Sequence, residues 1–213
     1  MSLRAALLAL LTVEPMTGYD LYKQFESSVG YVWHAPDSQI YPELRKMEKD
    51  GLLVGREVPW GQRGRKTEYH VTEAGIAAFR DWMNSTLEYS RERDPMHLKA
   101  AYLEWAEPEA ARRQLHAHEE HYQARKAQWE EKIREIDTGN SEMLNRRLAT
   151  LPAGEHRAAT AFKRFTYQGL VARAEQEIQW ARQGLALVDE LYEDWGAPAV
   201  SAPPPQRDPR TPL

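Results

Sequence analysis

Asp37-Ser38-Gln39-Ile40-Tyr41-Pro42-Glu43-Leu44-Arg45-Lys46-Met47-Glu48-Lys49-Asp50-Gly51 places Ile40, Leu44 and Met47 on one helical stripe. The outward face is then Gln39, Tyr41, Arg45, Lys46 and Lys49, with Asp37 or Ser38 able to cap the start. Pro42 lies just beyond the first turn, where it removes an intrahelical bond, so a slight distortion is expected. Gly51 supplies the stop. A helix that is apolar below and basic above needs other elements to cover its underside, and its neighbours in sequence supply them.

Upstream, Leu3, Leu7, Leu10 and Leu11 follow helical spacing until Pro15. Thr17-Gly18-Tyr19-Asp20 fits a capping box for a second helix carrying Tyr22 and Phe25. Downstream, residues 52–58 and 65–71 are β-prone and are separated by Pro59-Trp60-Gly61-Gln62-Arg63-Gly64, which predicts a hairpin with a basic tip. Thr72 caps a fourth helix with Ile76, Phe79 and Met83. Three helices, a basic hairpin and a closing helix make a winged helix-turn-helix, whose third helix is the natural reader of a DNA major groove.

Charge supports that placement locally. The 213-residue chain has a net charge of −4, from 28 Lys and Arg against 32 Asp and Glu. Within residues 45–66, however, Arg45, Lys46, Lys49, Arg56, Arg63, Arg65 and Lys66 face only Glu48, Asp50 and Glu57. A confined basic stretch matters more for phosphate contact than the total.

The second half reads as helical. After Asp94-Pro95 a short helix runs to about Ala106, and Pro108-Glu109 opens a long one. Leu115, Tyr122, Trp129 and Ile136 recur every seven residues there, with Ala111 and Ile133 between, and such a seam requires a partner helix. A shorter segment carries Leu144 and Leu148. The last helix, residues 155–195, places Ala174, Ile178, Ala181, Leu185, Val188, Tyr192 and Trp195 at spacings of four and three. That stripe is expected to hold a dimer together. Residues 197–213 contain six prolines and read as a disordered tail. The expected organisation is thus a mainly α protein: a winged helix-turn-helix domain over residues 1–86, a helical dimerisation domain over 94–196, then the tail.

Thr17-Gly18-Tyr19-Asp20-Leu21, Ser38-Gln39-Ile40-Tyr41-Pro42-Glu43-Leu44 and Asp50-Gly51-Leu52-Leu53 resemble the PadR family of bacterial transcriptional regulators. Arg65-Lys66-Thr67-Glu68-Tyr69 and Thr72-Glu73-Ala74-Gly75 extend the resemblance through roughly residue 84. The helical half is similar in pattern and length to the larger C-terminal domain of the subfamily that includes virulence-type activators. The resemblance implies a homodimer on a palindromic double-stranded operator, and the reading adopted is a repressor in the cytoplasm. It puts Ser38, Gln39 and Tyr41 on the DNA-facing helix and Arg63, Arg65 and Lys66 on the wing, beside the cations Arg45, Lys46 and Lys49. It further implies a small aromatic effector near the junction of the domains, with Trp33 and Trp105, two of seven tryptophans, as its walls. The alternative reading is a winged-helix adaptor that binds an acidic protein instead of an operator.

Other chemistry is not called for. His116, His118 and His121 lie close together, but a zinc-protease helix needs its second histidine where Tyr122 stands. The chain has no cysteine, no Gly-x-Ser-x-Gly and no phosphate-loop pattern, so neither an enzyme nor a metal or other cofactor is expected. No apolar run reaches the roughly 18 residues of a membrane span.

Overall fold

The computed structural model describes residues 2–32, 35–61, 64–89 and 93–192. In order these form α1 (Ser2–Leu11), β1 (Met16–Thr17), α2 (Gly18–Ser27), α3 (Asp37–Lys49), β2 (Leu53–Trp60), β3 (Gly64–Val71), α4 (Glu73–Asn84), α5 (Pro95–Ala100), α6 (Pro108–Asp137), α7 (Glu142–Thr150) and α8 (His156–Tyr192). The fold is mainly α, with a winged helix-turn-helix followed by helices.

Two compact units are distinguished by their internal contacts: residues 1–92 with 128–169, and residues 93–127 with the chain from 170 onward. The first therefore includes more than the winged helix, because the end of α6, all of α7 and the start of α8 pack with it. Trp129 Nε1 donates to the Tyr31 carbonyl at 2.9 Å, and Arg146 reaches Glu14 at 2.7 Å.

The winged-helix core is built from four elements that each bury one face. Leu7 and Leu8 of α1, Leu21 and Phe25 of α2, Ile40, Leu44 and Met47 of α3, and Leu53 of β2 are all essentially inaccessible. Thr17 caps α2 as expected, accepting the Asp20 N–H, and Thr72 caps α4 by accepting the Gly75 N–H at 3.0 Å. The cap of α3 differs from the sequence reading. Pro36 occupies the cap position, and Asp37 and Ser38 are already helical. Proline suits a position whose N–H would lack a partner. Gly51 adopts φ +75°, the left-handed stop that only glycine takes without strain.

The sheet has three strands in the order β1-β3-β2, all antiparallel. The hairpin register runs from Leu53 opposite Val71 to Trp60 opposite Gly64. Strand β1 was not expected. It pairs Met16 with Tyr69 and Thr17 with Glu68, which holds the first residues of α2 beside the wing.

In the second unit, α6 and α8 lie side by side. Ala111 and Leu115 of α6 meet Val188, with Leu185, Trp180 and Tyr192 partly buried against them. Gly184 leaves the notch that Leu115 fills, since a Cβ there would come within 2.9 Å of it. Arg112 ties the pair at its edge through Asp189 at 2.8 Å. Of the stripe expected to hold a dimer, Ala174, Ile178, Ala181 and Val188 are buried within the single chain, while Leu185 and Tyr192 are partly buried. Among the described residues no helix is long and apolar enough to cross a membrane.

Candidate nucleic-acid interface

Helix α3 has Ser38, Gln39, Arg45, Lys46 and Lys49 exposed, while its stripe Ile40-Leu44-Met47 anchors it from below. The three nearest carboxylates each have a partner away from those cations. Arg4 Nε donates to Glu43 Oε1 at 2.7 Å, and its Nη2 lies 2.9 Å from Asp50 Oδ2. The Glu43 hydrogen bond, with Asp50 behind it, holds the Arg4 guanidinium above its ordinary pKa. Glu48 Oε1 accepts the Gly55 N–H at 2.9 Å, at the start of the wing.

Tyr41 occupies both of the roles open to it. Its ring lies over Gly18, where a Cβ would meet the ring at 2.7 Å, yet it remains 37% exposed. The N-terminus of α2 is thus glycine so that a tyrosine of α3 can sit on it. Between them and the wing runs an open groove of about 300 Å3 lined by Thr17, Gly18, Tyr19, Tyr41, Lys66 and Thr67. Lys66 Nζ lies over the Trp60 ring, 2.7 Å from its centroid, and 5.4 Å from that of Tyr19. Lys23 Nζ stands on Tyr19 at 4.7 Å, and the hydrogen bond it donates to that tyrosine's oxygen keeps its ammonium above the ordinary range. The aromatic rings hold these two lysines without neutralising them.

On the wing, Arg65 Nη1 pairs with Glu57 Oε2 at 2.5 Å, with both side chains largely exposed. Arg63 and Trp33 lie outside the described residues. Trp105 is 69% exposed and lines an apolar trough of about 300 Å3 with Leu98 and Tyr102. Sequence reasoning passed over Tyr19, Lys23 and Trp60. Only the pairing of β1 with β3 brings the first two to the wing, and nothing in their own neighbourhood signals it.

The histidines of α6 have structural partners. His118 Nε2 lies 3.1 Å from Glu177 Oε2, with its ring against Tyr122 and Trp180. Among the described residues no group of three or more His, Asp or Glu is placed to hold a metal ion.

Comparison with known proteins matches this geometry to a family. Residues 7–81 fit the transcriptional regulator PadR-like family, and residues 92–189 fit the virulence activator alpha C-terminal family. The negative transcriptional regulator PadR of Bacillus subtilis is 36% identical over 81 residues, 38% of this chain and 44% of that protein. The chain thus spans under half the length of that curated relative. The crystal structure of Bacillus subtilis PadR in complex with operator DNA superposes with a TM-score of 0.68 at 22% identity, covering 89% of this chain and all of that one. The virulence activator AphA of Vibrio cholerae gives 0.63 at 26% identity, over 89% and 99% of the two chains. Members of the matched family are regulators and not enzymes. With both parts of the fold matched in their order along the sequence, the chain belongs to the PadR-like family of transcriptional regulators.

Proposed function

We propose that the protein is a homodimeric, sequence-specific DNA-binding regulator that represses transcription in the cytoplasm from a palindromic operator. The observation that carries this is the outward face of α3. Arg45, Lys46 and Lys49 are exposed, while Glu43 and Asp50 are paired with Arg4 and Glu48 accepts the Gly55 N–H. Gln39 sits in the first turn, where a reading helix meets base edges and where a glutamine amide matches adenine. Arg65 and Lys66 on the wing, with Lys23 beside Tyr19, take the phosphates that fix register. Repression follows the Bacillus subtilis relative, a negative regulator over the part of the chain that matches.

The second copy is assigned to the second unit. With the α8 stripe covered by α6, the apolar surface left outward is Leu98, Tyr102 and Trp105 together with Leu187 and Leu191, each more than half exposed. Leu98, Tyr102 and Trp105 line one trough, and exposed apolar side chains grouped in this way mark an interaction site. In this reading Trp105 is an interface residue before it is the wall of an effector site.

Selection of bound fragments from genomic DNA, followed by sedimentation of the complex, tests the proposal. The expected result is one palindrome with half-sites about 34 Å apart, bound by two chains. Equal affinity for all duplexes would refute it and favour the protein adaptor.

A further inference from the structure

The trough on the second unit holds an acceptor that has no donor. Its apolar wall comes from Leu98 of α5, from Tyr102, and from Leu103 and Trp105 of the short helical turn Leu103–Trp105, and α6 adds Gln114. All of these fall within residues 93–127, inside one unit. Gln114 Oε1 is closed off from solvent and has no hydrogen-bond partner among the described residues. A buried amide oxygen left unpaired is costly, and in native proteins such atoms are nearly always paired. The trough therefore calls for a hydrogen-bond donor carried on an apolar body.

Three side chains lining the same trough can donate: Lys99, Tyr102 and Trp105. All three are exposed in the single chain, and none of them serves Gln114 Oε1. An ammonium would carry its charge into an apolar trough, and a phenol hydroxyl at the rim is satisfied by water on both its donor and acceptor sides. The indole of Trp105 fits best, because Nε1–H only donates and the ring that carries it is apolar. A small ligand on Gln114 would leave the rim of Leu98, Tyr102 and Trp105 open to water. A second copy covers that rim and brings the donor in the same contact. In a two-fold contact one patch meets its own image, so a donor and an acceptor on that patch are complementary to themselves.

We propose that Trp105 of each copy enters the trough of the other and donates its Nε1–H to Gln114 Oε1, which gives two equivalent hydrogen bonds across a two-fold axis. The inference rests on the reading that the second copy docks on the second unit, and it names the contact that fixes the register there. An aromatic anchor seated in a pocket and ringed by apolar contacts is where the binding energy of an interface concentrates.

Mixing two variants of the full chain tests the proposal in a way that no contact inside one chain can imitate. Gln114→Met keeps the side-chain length and removes the acceptor, whereas Trp105→Phe keeps an aromatic ring and removes the donor. Each is checked for unchanged circular dichroism. Either variant alone loses both bonds, so its dimer should dissociate with a Kd raised roughly tenfold. A mixed dimer regains one bond, from Trp105 of one chain to Gln114 of the other, and opposes two apolar side chains at the second position. Native mass spectrometry of the equilibrated mixture should therefore show mixed dimers well above the half expected from random exchange. Random exchange between two weakened variants would overturn the contact while the docking surface stands. Undiminished dimers from both variants, or a monomeric wild type, would overturn the contact and the surface together. If Gln114→Met does not fold, wild-type chains carrying nitrogen-15 are mixed with Trp105→Cys chains bearing a nitroxide, the natural chain having no cysteine. Broadening of the Gln114 side-chain amide signal is expected, and its survival in the mixed dimer overturns the proposal.

Discussion

The winged helix and the α6–α8 pair solve the burial problem differently. In the first, α1, α2, α3 and β2 converge on one interior in which Leu7, Leu21, Phe25, Ile40, Leu44 and Met47 have no exposure at all. In the second, two helices share a seam centred on Ala111, Leu115 and Val188, while Leu98, Tyr102, Trp105, Leu187 and Leu191 remain outside. A layer of helices buries one stripe per neighbour, so a pair leaves further apolar faces uncovered. The winged helix closes its core on every side, whereas the helical pair leaves these five side chains exposed.

The sharpest way to break this comparison is to place a charge in each. Leu44→Asp buries an unpaired carboxylate where four elements meet, at a cost of about 3–5 kcal/mol, comparable with the whole stability of a marginal domain. Thermal unfolding followed by circular dichroism should lose the winged-helix transition, and a melt like that of the wild type would show the core to be less closed than described. Tyr102→Asp with Trp105→Asp alters side chains that are already exposed, so helicity should stay and the sedimenting species should fall from dimer to monomer. A double variant that remains dimeric would move the second copy to another surface.

What the sequence revealed follows the same division. The stripe of α3, the capping threonines and the hairpin are local, and each is read within about ten residues of itself. Strand β1 is only Met16 and Thr17, and its partners Tyr69 and Glu68 lie some fifty residues on, so no local pattern declares it. Tyr19 and Lys23 were missed for that reason. The heptad seam of α6 announced a partner helix correctly in kind, but periodicity does not say whose. For Leu115 the partner is α8 of the same chain, and for Trp129 it is the carbonyl of Tyr31.

Tyr167 offers a milder probe of the first unit. Burial, with Glu135 as a lesser cause, pushes its pKa up to about 12, against about 10 unfolded. The unfolded chain releases this proton first, so the folded state binds more protons between about pH 10 and 12. Stability therefore falls as pH rises through that window, by on the order of 2 kcal/mol for this group, and is indifferent to it below pH 10. Burial moves Tyr69 and Tyr122 in the same direction, so Tyr167→Phe should flatten the alkaline loss without abolishing it. Urea unfolding at stepped pH measures this, and an unchanged slope would mean that the phenol is not buried in solution.

The smallest expected effects separate reading from holding on the DNA surface. Gln39→Ala should relax preference at one base pair, by about 1–3 kcal/mol if the amide reads an edge. Arg65→Ala should weaken all duplexes alike and lower the salt slope by about 0.9 for one phosphate. Arg65 is paired with Glu57 in the free protein, and both are exposed, so the pair contributes little to folding. To reach a phosphate, Arg65 must leave that carboxylate. Glu57→Gln removes the competitor and keeps the shape, so binding should tighten for every sequence while specificity and the Arg65 contribution to the slope persist. Were Glu57→Gln instead to weaken binding, the carboxylate would be holding Arg65 in its DNA-ready position. Titration of one operator and one random duplex at several salt concentrations distinguishes the two.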